Sequence, residues 1–146
     1  VIALVQRVTM ARVVVAGHTV GEIGRGLLVL VCAEPADSEQ QAARLVDKLL
    51  KLRIFADDAG KMNRSVQDVQ GGLLVVSQFT LAADTAGGNR PSFTGAAPAD
   101  LGRRLYEEVL RQARDKHTPV EAGVFGAEMQ VQLVNDGPVT IPLRIG

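Results

Sequence analysis

The chain has 146 residues, 47% hydrophobic and 22% charged, with 16 basic and 16 acidic side chains that cancel. A chain of this size buries roughly 70% of its unfolded surface in one core, so the composition excludes a disordered protein and predicts a single domain over residues 1–146. Zero net charge removes any global field toward nucleic acid, and 3% aromatics without Trp weigh against a base-stacking surface.

Val1 to Val8 and Arg12 to Ala16 read as strands, the second rich in the valine that suits a pleated surface. Gly17-His18 turns the chain, and Thr19 to Ile23 and Gly26 to Val31 follow as strands of an antiparallel meander. Cys32 ends that apolar run; alone in the chain, it has no internal disulfide partner and is expected to pack as a small hydrophobe. Ser38 with Gln41 three residues later is a capping-box pattern, and Ala42, Leu45, Val46, Leu49 and Leu52 then recur on one helical face. Leu52 to Phe55 reads as a short strand before a turn over Asp57 to Lys61.

Gly71-Gly72-Leu73-Leu74-Val75-Val76 is a short apolar run of the kind buried on both faces of a sheet, and it stops at Ser77-Gln78-Phe79-Thr80-Leu81. Ala82 to Pro98 fits neither period and is long for a passive connection. Pro98 suits the start of a second helix with the stripe Leu101, Leu105, Tyr106, Val109, Leu110 and Ala113; Arg103 with Glu107 and Glu107 with Arg111 are its expected solvent pairs. In the tail, Met129, Val131 and Leu133, then Val139, Ile141, Leu143 and Ile145, alternate with polar neighbours. That predicts two strands with Gly137-Pro138 at a sharp turn between them and Pro142 on an edge. The predicted fold class is α/β in the α+β sense: a largely antiparallel curved or barrel-like sheet with two covering helices.

The chemistry-bearing residues are few. His18 and His117 have no ligand neighbours at metal spacing and no nucleophile to serve, so both are expected at the surface, with no metal and no cofactor site. The glycines from Gly21 to Gly26 lack a strand-to-helix context, and no Walker loop is present. Nothing at the start of the chain has signal-peptide order and no run reaches the ~20 apolar residues of a membrane span, so a cytoplasmic protein without a membrane partner is expected. What remains is the strand end at Ser77, Gln78 and Thr80. Its groups either satisfy local hydrogen bonds or present backbone amides to a developing oxyanion.

Ser77-Gln78-Phe79-Thr80-Leu81 with Ala82-Ala83-Asp84, Arg90-Pro91-Ser92-Phe93, and Asn135-Asp136-Gly137-Pro138-Val139-Thr140 together resemble the D-aminoacyl-tRNA deacylase family. Ile2 to Val8 and Gly60-Lys61-Met62-Asn63 are similar to its N-terminal and mid-chain segments, in the right order. The resemblance implies a metal-free homodimeric hydrolase that cleaves the ester between a D-amino acid and the terminal ribose of tRNA, a proofreader in trans that binds the aminoacylated acceptor end and no DNA. It places catalysis at Ser77, Gln78, Phe79 and Thr80. It assigns chiral selection to a cis Gly137-Pro138 pair inserted into the partner subunit's pocket, with Arg7 orienting that turn. Lys61, Arg64, Arg90 and Arg53 are candidate phosphate contacts. Cys32, where a smaller residue is expected, and Gly87-Gly88-Asn89 depart from the family pattern. A binding module without catalysis and an esterase for free D-amino acid esters are the competing readings.

Overall fold

The computed structural model of the protein describes residues 1–146. Its strands and helices are β1 (Ile2–Val15), β2 (His18–Ile23), β3 (Gly26–Cys32), α1 (Glu39–Lys51), β4 (Phe55–Ala56), β5 (Met62–Arg64), β6 (Gly72–Ser77), α2 (Ala99–Lys116), β7 (Val120–Ala122) and β8 (Gln130–Arg144). A four-residue 3₁₀ helix, Phe79–Ala82, follows β6. The main sheet runs β2-β1-β3-β6-β7, with β8 added along β1, and β7 comes round against β2 so that the sheet almost closes on itself. This is the predicted barrel-like α+β domain. Its β1 ladders to β2, β3 and β8 are antiparallel, whereas β3 with β6 and β6 with β7 are parallel.

Three strand assignments need correction, the shortest being Leu52 to Phe55: Leu52 caps α1 and only Phe55 of that run is strand, in β4. The predicted breaks around residues 9–11 do not occur: β1 is one strand of 14 residues. Its second half pairs β2 and its first half pairs β3, so β2 and β3 lie end to end along the same side of β1 rather than side by side in a meander. The tail is likewise one strand, β8, and Gly137-Pro138 is not a hairpin turn. From Gln6 to Val8, β1 advances two residues, while its partner β8 covers five, from Thr140 back to Asn135. The surplus residues form a bulge that leaves the ladder and rejoins it. Alternation on either side of a bulge looks the same in sequence as alternation on either side of a turn. Pro142 does lie on an edge, since β8 pairs only β1.

The core explains the order of layers. Leu27, Val29, Leu73 and Val75 point to one face, where they meet Leu45, Val46 and Leu49 of α1 and Tyr106, Val109 and Ala113 of α2. Leu28, Leu74 and Val76 point to the other face and pack with Val8, Ala11 and Val13 where β1 curls over. The central strands β3 and β6 are therefore apolar on both faces, as the unbroken run before Ser77 predicts. Helix α1 begins with the predicted capping box: Gln40 N–H donates to Ser38 Oγ, and the Gln41 side chain accepts from Ser38 N–H at 2.7 Å. On α2 the ion pairs differ from expectation, because Arg111 bonds Glu108 and Asp115 rather than Glu107.

Close packing at the strand β3–β6 pairing fixes the strand end that follows. Gly26 sits opposite Gly72, and a Cβ on Gly26 would come within 2.0 Å of the Gly72 carbonyl oxygen. Backbone cannot yield there as a side-chain tip would. Gly26→Ala is expected to cost about 3 kcal/mol or more in urea denaturation, against less than about 1 kcal/mol for Gly24→Ala, whose Cβ meets nothing within 4 Å.

Candidate active site

The strand β6 ends at Ser77, and Gln78 N–H donates to the Val31 carbonyl at 2.8 Å, so the segment leaves the sheet from a fixed point. Phe79–Ala82 then turns as a 3₁₀ helix without a side-chain cap. The Gln78 side chain, which stands at the capping position, instead donates to Thr80 Oγ1 at 2.5 Å. The leading amides of this turn are thus left without a side-chain acceptor, the condition in which helix N-termini attract negative charge. Cys32 Sγ lies 3.5 Å from the Phe79 carbonyl and 3.4 Å from that of Ala33, a weak tie between β3 and the turn.

A cavity of about 730 Å³ opens beside this turn. Ser77, Gln78 and Phe79 line it, together with Phe93, Phe125 and Met129. Phe93 comes from the long connection after the turn and meets Phe79 edge to face, with ring centroids 5.1 Å apart. That connection is pinned by the paired backbone bonds of Asp84 with Ser92 and by Ala97 N–H donating to the Ala33 carbonyl. The predicted irregular stretch is therefore an ordered wall.

Two titratable groups on the wall are held neutral. Burial pushes the Cys32 thiol up from its ordinary range, and burial pushes the Tyr106 hydroxyl up to about 12. Tyr106 donates to the Val75 carbonyl at 2.8 Å, and its ring lies 5.9 Å from that of Phe125. Neither histidine lines the cavity. His18 is exposed as expected, but His117 is half-buried and its Nε2 lies 2.6 Å from the Gly71 carbonyl, so it closes the end of α2 rather than lying free at the surface. No side chain on the wall offers the ordinary histidine route to a general base.

The second motif lies elsewhere on the chain. Arg7, half-buried on β1, donates through Nη1 to the Ile54 carbonyl at 2.7 Å and through Nε to the Asp136 carbonyl at 3.2 Å, with the Asp136 carboxylate 3.5 Å away. The bulge is closed from within: Val139 N–H donates to Asn135 Oδ1 at 3.1 Å and Asn135 Nδ2 donates to Thr140 Oγ1 at 2.9 Å. Gly137 has φ +125°, where a side chain is disfavoured, and a Cβ there would come within 3.0 Å of Arg7 Nη2. The Gly137-Pro138 peptide is cis and both residues are exposed.

The structure therefore unites Ser77, Gln78, Phe79 and Thr80 in one turn, and Arg7 with Gly137 and Pro138 in one bulge. It does not bring the two groups to a common cavity within one chain, for neither Arg7, Gly137 nor Pro138 lines the cavity beside Phe79. Sequence reasoning missed Tyr106, Phe125 and Met129 as wall residues. Tyr106 and Met129 read as ordinary members of apolar stripes, and Phe125 stands in a glycine-containing stretch with no period to reveal where it points. Phe93 carried a signal, as the last residue of the Arg90-Pro91-Ser92-Phe93 motif.

Tyr106 is the only tyrosine and there is no Trp, so its ionisation is directly visible in the ultraviolet. The tyrosinate band of the native protein is expected to rise near pH 12 instead of 10. Because the folded state then holds a proton that the unfolded chain releases, Tyr106's contribution to stability is complete below pH 10 and is lost as pH climbs toward 12. An inflection at 10 in the folded protein contradicts the burial.

Comparison with known proteins identifies the family. The family described as D-Tyr-tRNA(Tyr) deacylase matches residues 4–144. A protein of Methylibium petroleiphilum named D-aminoacyl-tRNA deacylase is 71% identical over 145 residues, covering 99% of this chain and 95% of the relative. One of the same name from Polaromonas naphthalenivorans is 72% identical, covering 98% and 96%. A solved structure described as a c-Myc DNA unwinding element binding protein superposes with TM-score 0.95 at 42% identity, covering 100% of this chain and 99% of that one. Another, described as a probable eukaryotic D-amino acid tRNA deacylase, shares the fold with TM-score 0.84 at 16% identity, with 97% of each chain covered.

Proposed function

The chain belongs to the D-Tyr-tRNA(Tyr) deacylase family, and on that basis we propose that it hydrolyses D-aminoacyl-tRNA in the cytosol, releasing the D-amino acid and tRNA. The observation that carries the chemistry is the 3₁₀ turn at Phe79–Ala82, without a side-chain cap, beside a cavity whose thiol and phenol are both held neutral.

An aminoacyl ester is already reactive relative to an amide. Water adds to its carbonyl carbon, the carbonyl oxygen takes negative charge, and the bond to the ribose oxygen then breaks as that oxygen takes a proton. Backbone N–H groups of Phe79 and Thr80 placed at the developing oxyanion lower the barrier without any side chain changing its charge. The neighbouring ribose hydroxyl of the substrate relays the proton. Thr80 Oγ1, which accepts from Gln78, orients rather than activates. Ser77 and Gln78 set the height of the turn at the end of β6.

Chirality is judged by shape, since mirror-related amino acids carry the same groups. In this reading the Gly137-Pro138 main chain, donated by a second copy of the chain, occupies the space an L side chain would need. A thousandfold preference requires about 4 kcal/mol of differential barrier, within reach of a backbone clash. Three features support a homodimer of this kind. The bulge is exposed and absent from its own chain's cavity; β8 has an unpaired edge along its whole length; and Val134 on that strand is 51% exposed. Among the candidate phosphate contacts, Arg64 is paired with Asp58 and Arg53 bonds Asn63, while Lys61 and Arg90 are exposed.

Glycine has no side chain to exclude, so glycyl-tRNA is cleaved on this account. The test is a panel of D-tyrosyl-tRNA, L-tyrosyl-tRNA, glycyl-tRNA and a free D-tyrosine ester, with EDTA present. The expected result is cleavage of the first and third, with L-tyrosyl-tRNA slower by at least about a thousandfold, and little action on the free ester. Thr80→Ala is expected to keep turnover within about tenfold. Absence of all hydrolysis favours a binding module, and equal cleavage of the free ester favours a simple esterase.

A further inference from the structure

Helical spacing offers Arg103 two carboxylates, Asp100 one turn before and Glu107 one turn after, yet it closes on neither. Its guanidinium lies over the ring of Phe125, 4.7 Å from the centroid. Phe125 and Gly102, the residue preceding Arg103, both line the cavity beside Phe79. The cation is thus pinned to the outside of the wall that the ester site uses from within. The guanidinium is exposed and closes on no carboxylate, so its N–H donors are available to a phosphate, which a guanidinium can grip in two bonds.

A second feature converges on the same rim. Pro98 and Ala99, at the start of α2, line the cavity, and no side chain caps this 18-residue helix. Its first-turn amides and the positive end of its dipole therefore sit at the mouth. Asp100, exposed, is the one acidic residue of that first turn, and Asp37, which lines the cavity, is paired with the amino terminus of Val1 at 2.7 Å.

We propose that Arg103, held by Phe125 and backed by the amino terminus of α2, binds a phosphodiester of the RNA strand that leads to the scissile ester. This rests on the functional reading above and adds to it the contact that favours a polynucleotide over a bare aminoacyl nucleoside. Arg103 is a binding residue in this scheme and takes no part in the bond-breaking step. It also accounts for RNA binding by a chain with no net charge: the positive groups need only be local and placed beside the cavity.

The experiment compares two substrates, D-tyrosyl-tRNA and the D-tyrosyl ester of adenosine, which lacks phosphate, over a range of salt concentrations. For Arg103→Gln the ratio of kcat/KM between them is expected to fall about tenfold through KM, and the salt slope for the tRNA to flatten by about 0.7, the value of one phosphate on a single strand. Arg103→Lys, which keeps the charge and loses the fork, is expected to fall between. Arg114→Gln, near the far end of the same helix, leaves the ratio as it is. An unchanged ratio for Arg103→Gln, or equal losses on both substrates, overturns the proposal. If the native protein cleaves neither substrate, the functional reading fails separately. Binding of a short single-stranded RNA with the tRNA 3′ sequence then decides the present point, by a tenfold loss in Arg103→Gln or by none.

Discussion

Arg7 ties β1 to two stretches of backbone that its own ladder leaves unpaired. From its place on β1 it holds the carbonyl of Ile54, just before β4, and the carbonyl of Asp136, at the foot of the β8 bulge. A guanidinium can do this because its donors point in fixed directions within one plane. Without it, the residues from Asp136 to Val139 would be an unpaired loop on an edge strand, free to move as such loops do. With it, and with Asn135 closing the bulge from inside, a stretch of main chain is held at a set height above the sheet. At Gly137 the positive φ, with the Val139 and Arg7 side chains close by, disfavours any larger residue.

The proposed ester site rests on the same economy of means. Burial of β3 and β6 on both faces makes their carboxyl ends rigid, and the backbone bond from Gln78 to Val31 carries that rigidity into the turn at Phe79. The wall around it is apolar and uncharged at neutral pH where Cys32 and Tyr106 contribute. Asp37, which also lines the cavity, is ion-paired with the Val1 amino terminus, and a largely apolar, partly enclosed surrounding strengthens the pull of backbone amides on an oxyanion relative to water. In the proposed scheme the substrate supplies the reactive bond and the assisting hydroxyl, and the protein supplies position. Selection between enantiomers then falls to main-chain atoms, which have no rotamers with which to yield.

Much of this was legible in the sequence. The buried central strand, the capping box at Ser38, the stripe of α2 and the polar strand end at Ser77 each follow from one local rule, and each local rule agreed with the tertiary outcome. The failures came where pairing partners decide. Alternation in the tail could not distinguish a bulge from a hairpin, because the difference lies in whether β1 runs past both halves, and β1 does so only by being continuous through residues 9–11. The wall residues Tyr106 and Phe125 were silent because their role depends on the curl of the sheet. Arg103 was assigned to Glu107 by helical spacing, and the nearby ring of Phe125, distant in sequence, prevailed.

The clamp on the bulge is open to direct measurement. Replacing Arg7 with Gln keeps a polar side chain but cannot span both carbonyls, and the ratio of kcat/KM for D-tyrosyl-tRNA to that for L-tyrosyl-tRNA reports what the bulge does. The account predicts that this ratio falls by at least about tenfold in a protein that remains folded, as the main-chain wedge loses its fixed position. A folded Arg7→Gln protein that discriminates as sharply as the native one would contradict it.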